Sequence, residues 1–136
     1  MNPIYVREVM HQGVVSCSPD TTIRDAARAM VKAGVRALVV TDDACGLVGI
    51  VSQTDLVNAT LVHPNVHYWD GVRVRDVMTS PVATVTPETK LEDAARMLVE
   101  KRIHRLVVVS EDDPCKPVGM LSMGDIVRDL ILSPDE

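Results

Sequence analysis

The chain has 136 residues and a formal net charge of −5; 46% of it is apolar, with no Phe and one Trp. That length suits one compact domain or two half-size units sharing a core, and a core of Val, Leu, Ile, Met and Ala suits a sheet with covering helices. The acidic balance argues against a dedicated nucleic-acid binder, whose affinity rests on Lys and Arg clusters. Cys17, Cys45 and Cys115 are odd in number and scattered, which argues against a disulfide scaffold and a zinc site. The longest apolar runs, Ala37 to Val40, Leu47 to Val51 and Leu106 to Val109, are too short to cross a bilayer. The first residues lack a basic start followed by an apolar stretch, so a soluble cytoplasmic protein is expected.

In chain order the same elements occur twice. Val6-Arg7-Glu8-Val9-Met10 returns as Val74-Arg75-Asp76-Val77-Met78. A short extended stretch follows, Val14 to Cys17 or Val82 to Val85, ended by Ser18-Pro19 or Thr86-Pro87 at the turn into a helix. Apolar residues at 23, 26, 27, 30 and 31, matched by 91, 94, 95, 98 and 99, have the spacing of an amphipathic helix. Thr22-x-x-Asp25 and Thr89-x-x-Glu92 read as capping boxes at its start. A β-rich run then comes at Ala37 to Thr41 or Leu106 to Val109, an acidic turn, and a second strand at Leu47 to Val51 or Val118 to Leu121. A last helix begins at Ser52 or Ser122 and carries Leu56 and Val57 or Ile126 and Val127.

With one two-residue insertion near Asp113-Pro114, roughly twenty of about fifty-five paired positions are identical. The expected fold is α/β (α+β): two β-α-β-β-α repeats packed about a pseudo-twofold axis, so that any cleft between them is built twice. The first repeat is read as residues 1–62, the linker as 63–73 with His63 to Gly71 polar, and the second repeat as 74–136.

The constellation that bears on chemistry is strand, Gly49 or Gly119, two apolar residues, Ser52 or Ser122, two residues, Asp55 or Asp125, helix. A helix start offers free amides and the positive end of its dipole to an anion. Gly49 and Gly119 would let a ligand or second chain approach the backbone. Asp55 and Asp125 have the chemistry to accept hydrogen bonds from a vicinal diol, as ribose carboxylates do in dinucleotide-binding folds. The same Ser-x-x-Asp spacing is also a plain capping box, which needs no ligand. Spacing alone leaves the two readings open.

From about Val6 to Leu130 the chain resembles a tandem pair of cystathionine-β-synthase-type (CBS) domains, a Bateman module. The Val-Arg-(Glu/Asp)-Val-Met opening, Ile103-His104-Arg105-Leu106-Val107-Val108-Val109 and Gly-x-x-Ser-x-x-Asp carry the match. The resemblance implies a regulatory ligand-binding module, not an enzyme, that senses adenosine derivatives (AMP, ADP, ATP or S-adenosylmethionine) in clefts between the repeats. Asp55 and Asp125 would hold ribose hydroxyls, and Ser52, Thr54 and Ser122 would face phosphate; Gly124 stands where the first copy has Thr54. Arg36, Ala37, Ile103, His104 and Arg105 would line the base pocket or reach phosphates, and Ser18 and Thr86 would offer backbone contacts to the base. Crossed clefts are expected: Asp125 with Ser18 and Arg36, and Asp55 with Thr86, His104 and Arg105. The resemblance further implies a homodimer of two modules joined through helices, no required cofactor, no membrane partner and a regulated protein reached in trans. It leaves open which ligand is preferred and whether magnesium accompanies a polyphosphate.

The competing reading is a structural or protein-interaction module whose clefts are vestigial, with both Ser/Asp pairs serving as caps. An enzyme is the weakest reading, since no acid–base or nucleophilic set converges in the sequence. His63-x-x-x-His67 has metal-like spacing without a third ligand and reads as a solvated loop, so no metal site is expected. Arg28 and Arg96 read as exposed partners of Asp25 and Asp93, and Met10 and Met78 as core fillers.

Overall fold

A computed structural model describes residues 2–62 and 70–132, so His63, His67 and most of the expected linker lie outside the described residues. After a 3-10 turn at Val6–Glu8 the elements are β1 (His11–Gln12), β2 (Ser16–Cys17), α1 (Ile23–Ala33), β3 (Ala37–Asp42), β4 (Gly46–Ser52), α2 (Gln53–Val62), α3 (Val74–Val77), β5 (Thr84–Val85), α4 (Leu91–Lys101), β6 (Arg105–Val109), β7 (Pro117–Ser122) and α5 (Met123–Ile126), which runs on as a π-helix over Val127–Ile131. The β-α-β-β-α order is therefore present twice. Contacts group the chain into two compact units, Val15–Val82 and Met1–Val14 with Ala83–Glu136.

In the unit Val15–Val82 the sheet order is β2-β3-β4. β2 runs parallel to β3, which requires a crossover, and α1 supplies it; β3 and β4 form an antiparallel hairpin with Ala37 opposite Ser52. Leu38, Val39 and Val40 on β3 are all fully buried, so both faces of the middle strand are shielded. That explains why it reads as a continuous apolar run rather than an alternation. One core cluster joins Ala26 and Met30 of α1 to Leu38, Val40 and Val51 of the sheet and Val74 of α3.

The other unit repeats this plan with sheet order β1-β7-β6-β5. Thr84 pairs in parallel with Val107, and Arg105 lies opposite Ser122. Its core holds Val6, Val85, Leu91, Leu98, Leu106, Val108 and Leu121.

The repeated opening motif closes each unit. The Val6 and Arg7 amides donate to the carbonyls of Thr89 and Pro87 at 2.8 and 2.9 Å, and Arg7 pairs with Glu88 at 2.8 Å. In the other unit Val74 and Arg75 donate to Thr21 and Pro19 at 2.8 and 3.0 Å, and Arg75 pairs with Asp20. Met10 and Met78 pack against the respective cores, as expected of fillers.

Two sequence expectations change here. Gly49 and Gly119 are open to neither ligand nor second chain, because the opening motif already lies against them. A Cβ on Gly119 would sit 2.5 Å from the His11 carbonyl oxygen and 3.2 Å from Met10 Sδ, and one on Gly49 would sit 2.6 Å from Met78 Sδ. Thr22 caps α1 by accepting the Asp25 amide at 3.1 Å, but Thr89 does not cap α4. Its Oγ1 accepts the Thr86 amide at 3.1 Å, as Thr21 does for Ser18, and the N-cap is Lys90, whose side chain makes no capping bond. The helical pairs are as expected, Arg28 with Asp25 at 2.9 Å and Arg96 with Asp93 at 3.2 Å.

Gly119→Ala should cost about 1 to 3 kcal/mol, because the atom in the way is backbone of the paired strand β1. Gly49→Ala should cost less, since the flexible end of Met78 can move. Urea denaturation of both variants measures the difference, and equal losses would contradict this account. Burial raises the Cys17 thiol pKa above its ordinary value, against a smaller lowering by a hydrogen bond with Thr21, whereas Cys45 and Cys115 are exposed. Because the thiolate is the nucleophile, iodoacetamide near neutral pH should label Cys45 and Cys115 roughly tenfold faster than Cys17. Peptide mass spectrometry over a time course reads the three rates.

Candidate functional site

In each unit the end of the hairpin is tied to the start of its middle strand. Ala37 opposes Ser52, and the Gln53 amide donates to the Arg36 carbonyl at 3.0 Å. Arg105 opposes Ser122, and the Met123 amide donates to the His104 carbonyl at 2.8 Å. The Ser-x-x-Asp turn and the basic residues ahead of the middle strand are thus neighbours in both units.

Both turns are closed capping boxes. Ser52 Oγ accepts the Asp55 amide at 3.2 Å, while Asp55 Oδ2 accepts the Ser52 amide at 2.8 Å and its hydroxyl at 3.0 Å. Ser122 Oγ accepts the Asp125 amide at 3.2 Å, and Asp125 Oδ2 accepts the Ser122 amide at 2.8 Å. The expected row of free helix amides is therefore largely engaged: Gln53 and Met123 by carbonyls, Asp55 and Asp125 by hydroxyls. In the second copy the α-helix is also a single turn before it widens, too short for much of a dipole. What the turns present is a fixed carboxylate more than an open helix end.

The other expected site residues divide by position. Arg36 and His104 are exposed, Arg105 is half-buried and Thr54 is exposed beside Asp55. Ala37 is buried, and Ile103 packs against the core, so both have their backbone more than their side chain to offer a ligand. Ser18 and Thr86 follow β2 and β5, whose parallel register places Cys17 beside Val40 and Val85 beside Val108. Within its own unit each therefore lies toward the far end of the middle strand, roughly 13 Å from its start. Their amides are engaged by Thr21 and Thr89, and their carbonyls accept from the same two residues at 3.1 Å.

Two residues that sequence reasoning passed over touch the Asp125 carboxylate. His11 Nε2 lies 3.0 Å and Arg128 Nη2 3.1 Å from its Oδ1. Asp129 above all raises the Arg128 pKa, desolvation opposes it and Asp125 adds to the rise, which keeps the guanidinium cationic. The signal for both was their departure from the repeat: the matching positions in the other unit are Thr79 and Asn58. Among the described residues no cluster of His, Cys, Asp and Glu is arranged to hold a metal ion. Among them also, no helix is long and apolar enough to cross a membrane.

A carboxylate fixed by its own turn, a hydroxyl beside it and a basic side chain across the hairpin make a set suited to a polyhydroxylated anion. The CBS domain family model matches residues 6–61 and 74–132. Chloroplastic CBSX2 of Arabidopsis thaliana is 36% identical over 134 residues, covering 81% of this chain and 56% of that protein. An uncharacterized protein of Methanopyrus kandleri is 31% identical over 128 residues, 94% of this chain and 63% of that one. Mitochondrial CBSX3 of Arabidopsis thaliana is 32% identical over 119 residues. The chain spans 55 to 63% of the length of these curated relatives. Among solved structures, CBSX2 in complex with AMP superposes with a TM-score of 0.77 at 34% identity, covering 95% of this chain and 97% of that one. The CBS domain pair of MJ0100, in complex with 5-methylthioadenosine and S-adenosylmethionine, has a TM-score of 0.84 over 99% of this chain and 100% of its own; at 21% identity it speaks for the fold alone. The chain belongs to the CBS-domain family, as a tandem pair of the family's domain.

Proposed function

We propose that this CBS pair is a regulatory module that senses an adenine nucleotide, AMP, ADP or ATP, with Asp55 and Asp125 gripping the ribose hydroxyls. The observation that carries the reading is the doubled arrangement of a turn-fixed carboxylate beside the start of a basic middle strand. A plain cap needs the Ser and the Asp but not Arg36, His104 and Arg105 next to them. The solved relative at 34% identity that holds AMP supports the same ligand class. In this reading Thr54 and Ser52 face phosphate in one site and Ser122 in the other, and Ser18 and Thr86, whose amides are engaged, offer the base the second lone pair of their carbonyls. The ligand acts by favouring one arrangement of the module over another, with coupling of about 1 to 3 kcal/mol, and a regulated protein in trans reads the outcome.

We also propose a homodimer joined through helices. Val31, Leu61, Val99 and Ile131 are each more than 60% exposed. A groove of about 500 Å³, lined by Ile23, Ala27, Val31 and Leu56, runs between α1 and α2. Apolar helical surface repeated in this way favours burial against a partner. Sedimentation should give a dimer that Val31→Asp combined with Val99→Asp converts to monomer; a wild-type monomer would end this part of the reading.

Isothermal titration of the folded, nucleotide-free protein with AMP, ADP, ATP and S-adenosylmethionine tests the function. Saturable binding by a nucleotide is expected, weakened about tenfold or more by Asp55→Asn, which removes the charge but keeps one acceptor oxygen. An Asp55→Asn protein that melts lower but binds unchanged would leave only the capping role.

A further inference from the structure

The two ribose carboxylates are not equally available, although both turns are closed by the same two amide bonds, Ser amide to Asp carboxylate and Asp amide to Ser hydroxyl. Asp125 is 2% exposed, and its Oδ1 is shared by His11 Nε2 at 3.0 Å and Arg128 Nη2 at 3.1 Å, while Oδ2 accepts the Ser122 amide. A carboxylate oxygen has two lone-pair sites, so one acceptor site remains on the whole group. Asp55 is only half-buried, and its turn engages Oδ2 alone; among the described residues its Oδ1 has no partner. A vicinal diol donates two hydrogen bonds. Asp55 can accept both on Oδ1, whereas Asp125 must first lose a bond to His11 or Arg128.

The cause is divergence between the copies. His11 is held on β1 by its register opposite Met120 of β7, and Arg128 stands one turn beyond Asp125. At the matching positions of the other unit stand Thr79 and Asn58, which carry no charge and make no bond to Asp55 among the described residues. Both bonds to Asp125 are of the charge-assisted kind, since Arg128 is cationic and His11 Nε2 donates either as the imidazolium or as the neutral Nε2–H tautomer. A diol that places both its hydrogen bonds on this carboxylate must displace one of them.

From this we infer that His11 and Arg128 form an autoinhibitory cover over Asp125, so that the module fills the Asp55 site first and holds the Asp125 site in reserve. The inference rests on the proposed function and adds the order and control of its two sites. Neither residue is part of the binding set already named, and both are more than half exposed, which lets them swing away without disturbing the core.

The test is titration of the wild-type chain with AMP, compared with His11→Thr/Arg128→Asn, which installs what the other unit carries. Wild type is expected to bind one AMP per chain tightly and a second at least tenfold more weakly; the double variant should bind two with affinities within about threefold. In an Asp55→Ala background, where only the Asp125 site remains, the same pair of substitutions should tighten AMP at least tenfold. Conversely, Thr79→His/Asn58→Arg should weaken the first site. Two equal sites in wild type, or tighter binding that is lost on His11→Thr/Arg128→Asn in a protein melting within a few degrees of wild type, would overturn the cover and make these residues ligand contacts. No binding of AMP by wild type or by any variant would instead sink the nucleotide reading itself, and the cover with it.

Discussion

Each compact unit depends on a short opening segment bolted onto the turn that precedes its first long helix. Two backbone hydrogen bonds and an ion pair dock Val6-Arg7 on Pro87 to Thr89, and the same bonds dock Val74-Arg75 on Pro19 to Thr21. The buried Val that follows from this is fully inside in both cases, worth about 1.5 to 3 kcal/mol each by area removed from water. The ion pairs are exposed and contribute at most about 1 kcal/mol. Specificity comes from the backbone bonds, which accept only one register. Once docked, the segment lays Met10 or Met78 over the hairpin, and the hairpin must carry Gly119 or Gly49 beneath it. The Gly of the Gly-x-x-Ser-x-x-Asp signature is therefore bound by steric need to the opening motif of the other repeat, Gly119 to Met10 and Gly49 to Met78.

The opening segment also cuts the chain in a way that sequence self-comparison does not. Residues 1–14 belong to the compact unit that contains 83–136, and 74–82 to the one that begins at Val15, whereas the family match runs from 6 to 61 and from 74 to 132. Identity between copies reports duplication history, and contacts report which surfaces each segment completes. The two need not coincide when a duplicated unit begins with a strap. Val6 and Val74 are interchangeable in sequence, so nothing in the pattern of either copy says which body it closes.

Strand and helix order was legible because each element carries its own periodicity: Ile23, Ala26 and Met30 mark a helical face, and the run at 37 to 40 a shielded strand. Other features were not, for identifiable reasons. Val31 and Val99 fit the helical spacing yet are 83% and 70% exposed, since periodicity marks a stripe without telling how wide the covering surface is. The capping motif was misread at Thr89 because Thr21-Thr22 became Thr89-Lys90, and a Thr one residue early fits the same template while bonding to the turn instead. The His11 contact of Asp125 has no local signature, because His11 lies more than one hundred residues away and reaches it only through strand pairing. His11 and Arg128 are also positions at which the two copies differ, so the repeat itself carries no mark of them.

The Ser-x-x-Asp turn has a structural duty in both units, since it closes the hairpin onto the helix through bonds that a ligand does not provide. Selection against losing the cap holds the carboxylate in place whether or not it binds anything, so the Asp alone is weak evidence of use. What can change freely is the second lone-pair-bearing oxygen, which the cap leaves idle. In one unit no described residue bonds to it, and in the other His11 and Arg128 do. Divergence that costs the fold nothing is thereby concentrated on the one atom pair that decides whether a diol can be held. Two folding units of one plan can in this way carry carboxylates of different availability on the same turn.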